Sequence, residues 1–286
     1  MKLLTLAQKM ISSRNWPGRY MLAEIAAKTL GPSKGTVEGY IGLYQVSFDF
    51  GDQLQRLMYF NLYDQIETRL LHQLLKAGHI FLDVGANVGY YSLIASPLVG
   101  DQGQVHSFEP ILSNRATLQQ TITRNGITNI VVNSVAVGAN KGSLTLYVND
   151  DEIGNSGWAS IVPSKRRPKT ISVDVISIDE YLQSQGIDHV DLIKLDIEGA
   201  EGEALRGMKN LLAQAEAPDL LFEVNPYLLN QQNVDSRMLS GYLAEQGYSL
   251  FEIGTSPPSL IDPHQIFTDL VNLFGTKKPA KVEQLQ

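Results

Sequence analysis

The chain has 286 residues, of which 30 are acidic and 23 basic, so its formal net charge at neutral pH is −7. This length fits one large α/β domain with an appendage, and a hydrophobic fraction of 43% with 19% charged residues is typical of a globular protein. The absence of cysteine excludes disulfides, thiolate zinc sites and a cysteine nucleophile, and the acidic balance argues against a generic nucleic-acid binder, which needs a basic surface.

Residues 1–60 form a leader with a mixed pattern. Apolar residues recur at helical spacing over 3–11 and 19–30, which predicts two helices. A glycine- and proline-containing turn follows, and apolar and polar residues then alternate over 46–50, which predicts a strand. The leader is therefore expected to lie beside the main domain as a possible cap over the substrate.

The leader also bears on where the protein is located. Its first 30 residues carry five basic residues and one acidic residue, and Lys9, Arg14 and Arg19 interrupt the apolar stretch that a secretory signal needs. The longest uncharged run, 84–100, contains glycines and a proline, so it fits a turn and a helix better than a membrane span. We expect a cytoplasmic protein without a transmembrane segment, whose cationic leader is solvated or covers the core or, alternatively, lies on an anionic membrane.

The main domain is predicted from residue 61 to residue 275, where strands alternate with helices. Strands are predicted at 80–84, 104–108, 130–135, 191–195 and 219–224, and helices at 64–76, 90–98, 113–124, 177–185 and 200–213. Short apolar strands separated by helices are typical of a parallel sheet covered on both faces. Right-handed crossovers place the C-terminal ends of such strands at one edge, where ligands bind.

Two segments depart from this alternation. Residues 142–175 contain two stretches of alternating apolar residues, which predict a β arm laid over the edge of the sheet. Residues 249–253 and 270–274 are candidate last strands, joined by a proline-rich loop. For residues 276–286 we expect a frayed, flexible tail.

A glycine-rich turn follows the first strand of the main domain. Asp83, Gly85, Asn87 and Gly89 form a D-x-G-x-N-x-G pattern, in which the glycines allow the backbone to approach a ligand closely. This pattern differs from the G-x-G-x-x-G turn that presents a helix N-terminus to a pyrophosphate, so a nicotinamide dehydrogenase is poorly supported. An aspartate at this position suits a cationic amine and repels a phosphate.

An acidic residue ends the next strand. Glu109 follows Gly89 by twenty residues, a spacing that places a carboxylate to accept hydrogen bonds from two ribose hydroxyls, and Pro110 ends the strand there. The alternative is an exposed loop acid. Together the two motifs describe a nucleoside pocket without phosphate recognition, which is what S-adenosylmethionine requires.

A third motif carries a family resemblance. Residues 191–201 have the sequence D-L-I-K-L-D-I-E-G-A-E and closely resemble the K-x-D-x-E-G-A-E signature of FkbM-family methyltransferases. D-V-G-A-N-V-G-Y-Y-S at 83–92, F-E-P at 108–110 and A-V-G at 136–138 resemble the same family in the same order. The resemblance covers about residues 61–275 and is weaker over the leader and the proline-rich loop.

The resemblance implies a class I methyltransferase fold. This is an α/β, Rossmann-like, doubly wound sheet of seven strands with the last strand antiparallel, here with an N-terminal extension and an inserted β arm. The implied cofactor is S-adenosylmethionine, and the implied cofactor-binding residues are Glu67, Asp83, Gly85, Asn87, Gly89, Glu109, Ser134, Ala136 and Asp196. Glu109 is expected at the ribose, and Ser134 and Ala136 at the adenine.

Asp196 and Glu198 are the candidate catalytic bases. Methyl transfer to an alcohol is an in-line displacement in which the hydroxyl loses its proton, so a carboxylate near the methyl group helps. Asp196 ends the fourth strand, and Glu198 lies two residues beyond it. Negative charge at this point also favours the N-terminus of the predicted helix, whatever its function. A divalent cation is a further alternative, but no third ligand is evident, so we expect that no metal is required.

The arm supplies the candidate substrate residues. The segment N-S-G-W-A-S at 155–160 resembles a family loop near the reaction centre, which makes Trp158 and Ser160 candidates for substrate contact. Trp158 either stacks on a sugar or on the adenine, or packs on its own hairpin.

The resemblance predicts an O-methyltransferase. The family mostly methylates hydroxyl groups of sugars, glycolipids or secondary metabolites, so we expect a small-molecule hydroxyl acceptor, as in natural product biosynthesis, and no nucleic acid partner. The alternatives are a methyltransferase that acts on a protein or RNA, and a scaffold that binds the cofactor without catalysis. The oligomeric state is left open by the sequence.

Overall fold

The computed structural model describes residues 2–13, 16–33, 35–148, 159–163, 165, 168–232, 234–254 and 258–285. The strands are β1 Thr36–Ile41, β2 Tyr44–Asp49, β3 Ile80–Val84, β4 Gln104–Phe108, β5 Ile130–Asn133, β6 Ala136–Val137, β7 Gly142–Val148, β8 Lys169–Ile176, β9 Leu192–Leu195, β10 Asp219–Val224, β11 Ser249–Glu252, β12 Ser259–Leu260 and β13 Val271–Thr276. The helices are α1 Lys2–Ser12, α2 Arg19–Leu30, α3 Gln53–Tyr59, α4 Gln65–Leu74, α5 Tyr90–Val99, α6 Leu112–Asn125, α7 Ile178–Gln185, α8 Glu201–Arg206, α9 Lys209–Ala213, α10 Pro226–Gln231 and α11 Ser236–Glu245, and a 3₁₀ helix covers Pro279–Gln284. Across these residues, no helix is long and apolar enough to cross a membrane.

The central sheet has the strand order β12-β11-β13-β10-β9-β3-β4-β5. Neighbouring strands from β10 to β5 pair in parallel, whereas β13 runs antiparallel to both β10 and β11. Apart from the two-residue strand β12, this is a seven-stranded sheet whose last strand is reversed. The Rossmann-like α/β fold of class I methyltransferases, predicted from the resemblance, is confirmed.

Two hydrophobic cores cover the two faces of this sheet. Phe81 of β3 and Leu221 of β10 belong to a first core that includes the leader and α4–α6. Their sequence neighbours Leu82 and Leu220 belong to a second core that includes α7–α9 and α11. Successive residues of a strand point to opposite faces, so a sheet that is covered twice needs apolar side chains at nearly every position of its central strands.

The leader packs against the first core. Its predicted strand is β2, which pairs with β1 in an antiparallel hairpin that the sequence analysis did not predict. Phe48 and Phe50 of this hairpin lie edge-on against Tyr59 of α3. Asp52 begins α3 by accepting hydrogen bonds from two of its backbone N–H groups, an arrangement that stabilises helix starts.

The arm departs from the predicted boundaries in two places. β7 and β8 form the expected antiparallel hairpin, and β6 joins them in parallel to β8. The strand predicted over 130–135 was too long, because β5 ends at Asn133 and the chain then leaves the central sheet to form β6. The helix predicted over 200–213 is divided into α8 and α9 at Gly207, which approaches the arm so closely that a Cβ would lie 2.0 Å from the carbonyl oxygen of Gly138.

The C-terminal segment is not the frayed tail that we expected. β13 extends to Thr276, and the 3₁₀ helix that follows packs back onto the protein. Val282 and Leu285 are buried in the first core, and Lys281 forms an ion pair with Asp219. The apolar residues at 282 and 285 fix this segment, although the lysines around them made it look solvated.

Candidate active site

A cavity opens at the C-terminal edge of the parallel strands. The β3–α5 turn and the residues after β4 and β9 form its floor, and the leader and the arm cover it from the sides. It encloses about 990 Å³, its open mouth included. Leu54 and Met58 of the leader and Leu144 and Leu146 of the arm line it. Sequence reasoning missed these four side chains, because nothing in their pattern distinguishes them from ordinary core residues.

The β3–α5 turn has three residues with positive φ. Gly85, Asn87 and Gly89 have φ values of 88°, 51° and 90°. A Cβ on Gly85 would lie 1.9 Å from the carbonyl oxygen of Asp196, and one on Gly89 would lie 2.3 Å from Leu118. We expected these glycines to admit a ligand, but in the structure both let the turn pack against the protein itself. Gly85 and Asn87 line the cavity, whereas Gly89 does not.

Glu109 is fixed in the cavity wall by backbone donors. Its Oε2 accepts a hydrogen bond from the N–H of Asn87 at 2.9 Å, and its Oε1 accepts one from the N–H of Ile111 at 2.7 Å. Only 5% of the residue is exposed, and this burial raises the pKa of Glu109 to about 7. The carboxylate therefore has one defined orientation at the end of β4, joined to the glycine-rich turn.

Asp83 and Asn87 present buried acceptor atoms beside the cavity. Asp83 is 1% exposed and does not itself line the cavity, and its Oδ2 accepts a hydrogen bond from Ser92 Oγ at 2.5 Å. Burial raises the pKa of Asp83 to about 6. Within the described residues, Asp83 Oδ1 and Asn87 Oδ1 are buried and have no hydrogen-bond partner. Unsatisfied buried acceptors of this kind are rare in folded proteins.

Asp196 lines the cavity directly after β9 and is held by a buried lysine. Lys194 Nζ lies 3.2 Å from Asp196 Oδ2 and 5.0 Å from the centre of the Tyr91 ring. The lysine side chain is 3% exposed, whereas that of Asp196 is 26% exposed. Burial opposes the charge on Lys194, but Asp196, Asp64 and Glu223 outweigh burial and raise the pKa of the lysine. Lys194 is therefore a buried cation that orients the Asp196 carboxylate.

The turn between β9 and α8 brings Glu198 to the cavity as well. Glu198 has a φ of 53° and is part of the lining. Glu201 faces inwards instead, and its Oε1 accepts hydrogen bonds from two backbone N–H groups of the turn at 3.1 and 3.2 Å. Ser160 of the arm is also buried, does not line the cavity, and donates to the carbonyl oxygen of Glu198 at 2.9 Å. Glu201 and Ser160 thus hold the turn that carries Asp196 and Glu198.

The remaining predicted residues occupy different places. Ala136 lines the cavity, whereas Ser134 is exposed outside it. Glu67 is buried behind the lining, where its Oε1 accepts a hydrogen bond from Asn272 Nδ2 at 2.7 Å, and burial raises the pKa of Glu67. Trp158 lies outside the described residues.

The charged side chains among the described lining residues are all acidic. They are Glu109, Asp196 and Glu198. A lining of one sign favours a ligand with a cationic group and repels phosphate. In the described ranges, no group of three histidine, aspartate or glutamate side chains is arranged to hold a metal ion.

The buried acids near this site make stability depend on pH. Burial raises the pKa of Asp83 to about 6, raises the pKa values of Glu109 and Glu201 to about 7, and also raises the pKa of Glu223. A carboxyl group whose pKa is raised by folding stabilises the fold fully at pH values below its pKa in the unfolded chain. This stabilisation is lost as the pH rises through the pKa of the same group in the folded protein. We expect the free energy of unfolding to fall by about 2 kcal/mol between about pH 6.5 and pH 8, measured by urea denaturation. A value that is constant or rises over this interval would contradict the prediction, and Glu109→Gln should flatten the slope.

The comparisons with known proteins agree on one family of methyltransferases. The family model described as a methyltransferase FkbM domain matches residues 83–250. The chain is 24% identical over 212 residues to the hexuronic acid methyltransferase AglP of Haloferax volcanii, an alignment that covers 73% of this chain and 80% of AglP. It is 23% identical over 163 residues to the 2-O-methyltransferase NoeI of Sinorhizobium fredii, covering 52% of this chain and 65% of NoeI.

A solved structure of a methyltransferase FkbM from Methylobacillus flagellatus is 18% identical, with a TM-score of 0.44. The superposition covers 78% of this chain and 54% of that one. The chain spans between 55% and 80% of the length of the curated relatives that it matches.

Proposed function

This chain belongs to the methyltransferase FkbM family, and we propose that it transfers the methyl group of S-adenosylmethionine to a hydroxyl oxygen of a sugar or a related small molecule. The observation that carries the proposal is the position of Glu109. Its carboxylate ends β4, is held by the N–H groups of Asn87 and Ile111, and faces a cavity whose described charged lining is acidic. A fixed carboxylate at this edge suits the two hydroxyls of a ribose.

The residues around the cavity fit S-adenosylmethionine better than a dinucleotide. Its sulfonium and ammonium groups are cations, which the carboxylates of the lining attract. Asp83 Oδ1 and Asn87 Oδ1 are buried acceptors without a partner among the described residues, as expected next to a ligand that brings donors. A dinucleotide would instead place a pyrophosphate against acidic side chains, at a turn without the G-x-G-x-x-G pattern.

Most of the predicted cofactor residues have a role in this proposal. The residues that would hold the group are Asp83, Gly85, Asn87 and Gly89 at the methionine end, Glu109 at the ribose, Ala136 at the adenine, and Asp196 as a nearby acid. Ser134, which is exposed outside the cavity, and Glu67, which is bonded to Asn272, have no assigned contact with the cofactor. Gly85 and Gly89 act through the shape of the turn, because a Cβ on either residue would collide with protein atoms. The unpartnered Oδ1 of Asn87, a residue of the lining, is an acceptor available for a donor at the methionine end, whereas Asp83 does not itself line the cavity.

Asp196 is the proposed base. When bound, S-adenosylmethionine supplies a methyl carbon activated by a positively charged sulfur. The Asp196 carboxylate would take the proton of the acceptor hydroxyl, so that the hydroxyl oxygen could accept this methyl group and S-adenosylhomocysteine could leave. Lys194 holds Asp196 Oδ2, which leaves Oδ1 for the acceptor. Glu198, on the same cavity wall, is the second candidate.

The acceptor is proposed from the relatives and from the charge of the cavity. AglP is named as a hexuronic acid methyltransferase and NoeI as a 2-O-methyltransferase, which supports a carbohydrate acceptor. An acidic lining disfavours an acceptor that is itself an anion, so we propose a neutral hydroxyl compound of this class. We also propose that transfer needs no metal, since carboxylates and positioning suffice for this displacement.

Replacing the proposed base tests the function directly. Wild-type protein with methyl-labelled S-adenosylmethionine should label neutral sugars or glycolipids from a panel that also contains uronic acids, protein and RNA. Asp196→Asn should lower this turnover about 100-fold or more, because general base catalysis is lost, while S-adenosylhomocysteine still binds in calorimetry. The measurement is the initial rate of label transfer, with and without a chelator.

Glu203→Gln provides the matched control for that experiment. Glu203 is an exposed acid on α8 that pairs with Arg206, so the same loss of charge should leave turnover unchanged. Near-normal transfer by Asp196→Asn would reject Asp196 as the base and direct attention to Glu198. Label found only on protein or RNA would reject the small-molecule acceptor, and loss of activity with chelator would reject the metal-free reaction.

A further inference from the structure

The first two helices expose an unusual concentration of large apolar side chains. These are Leu3, Leu6 and Met10 of α1, Trp16 of the connecting segment, and Tyr20, Met21, Ile25 and Leu30 of α2. Leu3, Met10 and Met21 are each about two-thirds exposed, at 67%, 65% and 64%. No other stretch of similar length in the described residues exposes as many. We call Leu3, Leu6, Met10, Trp16, Tyr20, Met21 and Ile25 the outer face of the α1–α2 hairpin. Leu30 lies half a turn away from Met21, on the side of the buried alanines of α2.

The outer face belongs to helices that are firmly attached to the protein. Leu4 and Ile11 of α1 and Ala23 and Ala27 of α2 point the other way and are buried in the first core. The Gln8 side chain donates to the carbonyl oxygen of Tyr59 at 2.5 Å. These buried residues and this hydrogen bond already attach both helices to the domain, so the exposed apolar side chains are not needed for that attachment.

Lysines accompany the outer face. The first 30 residues carry five basic residues and one acidic residue, while the whole chain has a net charge of −7. Lys2, Lys9 and Lys28 are exposed. The acid, Glu24, is engaged by Arg56 at 3.1 Å and by Lys28 at 3.8 Å. The hairpin is thus the cationic and apolar end of an otherwise acidic protein.

We propose that the α1–α2 hairpin docks on an anionic lipid bilayer, with its outer face in the headgroup region. Apolar side chains and lysines on an amphipathic helical surface are the combination that binds such an interface, through burial of apolar area and attraction to acidic headgroups. The acidic remainder of the chain is repelled by the same surface, which leaves the hairpin as the side that approaches it.

A second copy of the chain fits this face less well. In a two-fold symmetric dimer, the same patch would meet itself, and Lys2, Lys9 and Lys28 would be brought close to their own copies. An anionic bilayer has the opposite charge.

Vesicle sedimentation with the full chain tests the proposal. The protein should sediment with vesicles of equal parts phosphatidylcholine and phosphatidylglycerol, much less with phosphatidylcholine alone, and less at high salt. Met21→Glu should weaken binding to the mixed vesicles about tenfold or more, because an apolar side chain that docking would bury in the bilayer is replaced by a negative charge that the anionic lipid repels. The assay contains neither cofactor nor acceptor, so its failure is distinct from failure of the methyltransferase proposal.

Met238→Glu is the matched control, since Met238 is 58% exposed on α11, away from the hairpin. It should bind vesicles as the wild type does, and thermal denaturation should show that both variants remain folded. Equal loss of binding in both variants would overturn the assignment to the hairpin. Absence of binding to anionic vesicles would overturn the proposal altogether, as would a dimer in sedimentation velocity that Met21→Glu dissociates while no vesicles are bound.

Discussion

Gly85→Ala should destabilise the protein by about 2–5 kcal/mol, the sum of a strained backbone and an overpacked contact. The backbone at Gly85 has a φ of 88°, which costs an L-residue about 1–2 kcal/mol. A Cβ there would also lie 1.9 Å from the carbonyl oxygen of Asp196, so the end of β9 would have to shift. The measurement is the free energy of unfolding from urea denaturation. Because the shift moves Asp196, turnover should fall as well.

Gly78→Ala separates the two causes. Gly78 has a similar φ of 86°, but a Cβ there would have no atom within 4 Å. This variant should therefore lose only the backbone contribution, about 1–2 kcal/mol, and keep its ligand affinity. Equal costs at Gly78 and Gly85 would show that the contact between the turn and β9 is unimportant. A Gly85→Ala protein with wild-type stability would contradict the geometry of the turn itself.

Glu109→Gln should weaken the binding of S-adenosylhomocysteine about 100-fold or more. Two hydrogen bonds from ribose hydroxyls to a charged acceptor contribute about 1.5 kcal/mol or more each, and an amide replaces one acceptor oxygen by a donor. That donor would also face an N–H group of Asn87 or Ile111, which now bind the two carboxylate oxygens. Calorimetry should be carried out above the pKa of Glu109, which burial raises to about 7, so that the wild-type carboxylate is ionised.

Two controls make the Glu109 result specific. Glu203→Gln removes the same charge from an exposed position of α8 and should bind S-adenosylhomocysteine as the wild type does. The substitution disturbs two buried backbone donors, so the fold of the variant has to be checked. Thermal denaturation should show that Glu109→Gln is still folded at the temperature used for calorimetry. Unchanged affinity in a folded Glu109→Gln protein would mean that the ribose does not bind at this carboxylate.

The central strands were predictable because they are buried on both faces. β3, β4 and β10 have the predicted bounds, Ile80–Val84, Gln104–Phe108 and Asp219–Val224. Burial on both faces demands apolar residues at successive positions, and this pattern stands out from the helices around it. The reversal of the last strand was expected from the family resemblance and not from periodicity.

Elements that depend on capping or on long-range packing were missed. α10 and α11 were not predicted, although Asn225 with Pro226 at the first helical position, and Asp235 before α11, are ordinary helix starts. β1 was missed because its exposed face and its glycine weaken the alternation of apolar and polar residues that indicates a strand. The C-terminal 3₁₀ helix is ordered by the burial of Val282 and Leu285, which no local signal reveals.

The site was predictable in its carboxylates but not in what holds them. Glu109, Asp196 and Glu198 line the cavity, as expected from their positions at strand ends. Lys194 is almost completely buried beside Asp196, and this burial depends on residues far apart in sequence. The inward orientation of Glu201 has the same origin. The role of Gly85 changed most, since its close neighbour is the protein backbone and not a ligand.

A crystal structure of the chain with S-adenosylhomocysteine would show where the cofactor binds. We expect the ligand in the cavity between the β3–α5 turn and the arm, with the ribose hydroxyls hydrogen-bonded to Glu109 and the methionine end towards Asp83 and Asn87. Its sulfur should then lie on the side of Asp196. A ligand bound elsewhere, or in this cavity with its ribose away from Glu109, would mean that the carboxylate at the end of β4 does not bind the cofactor.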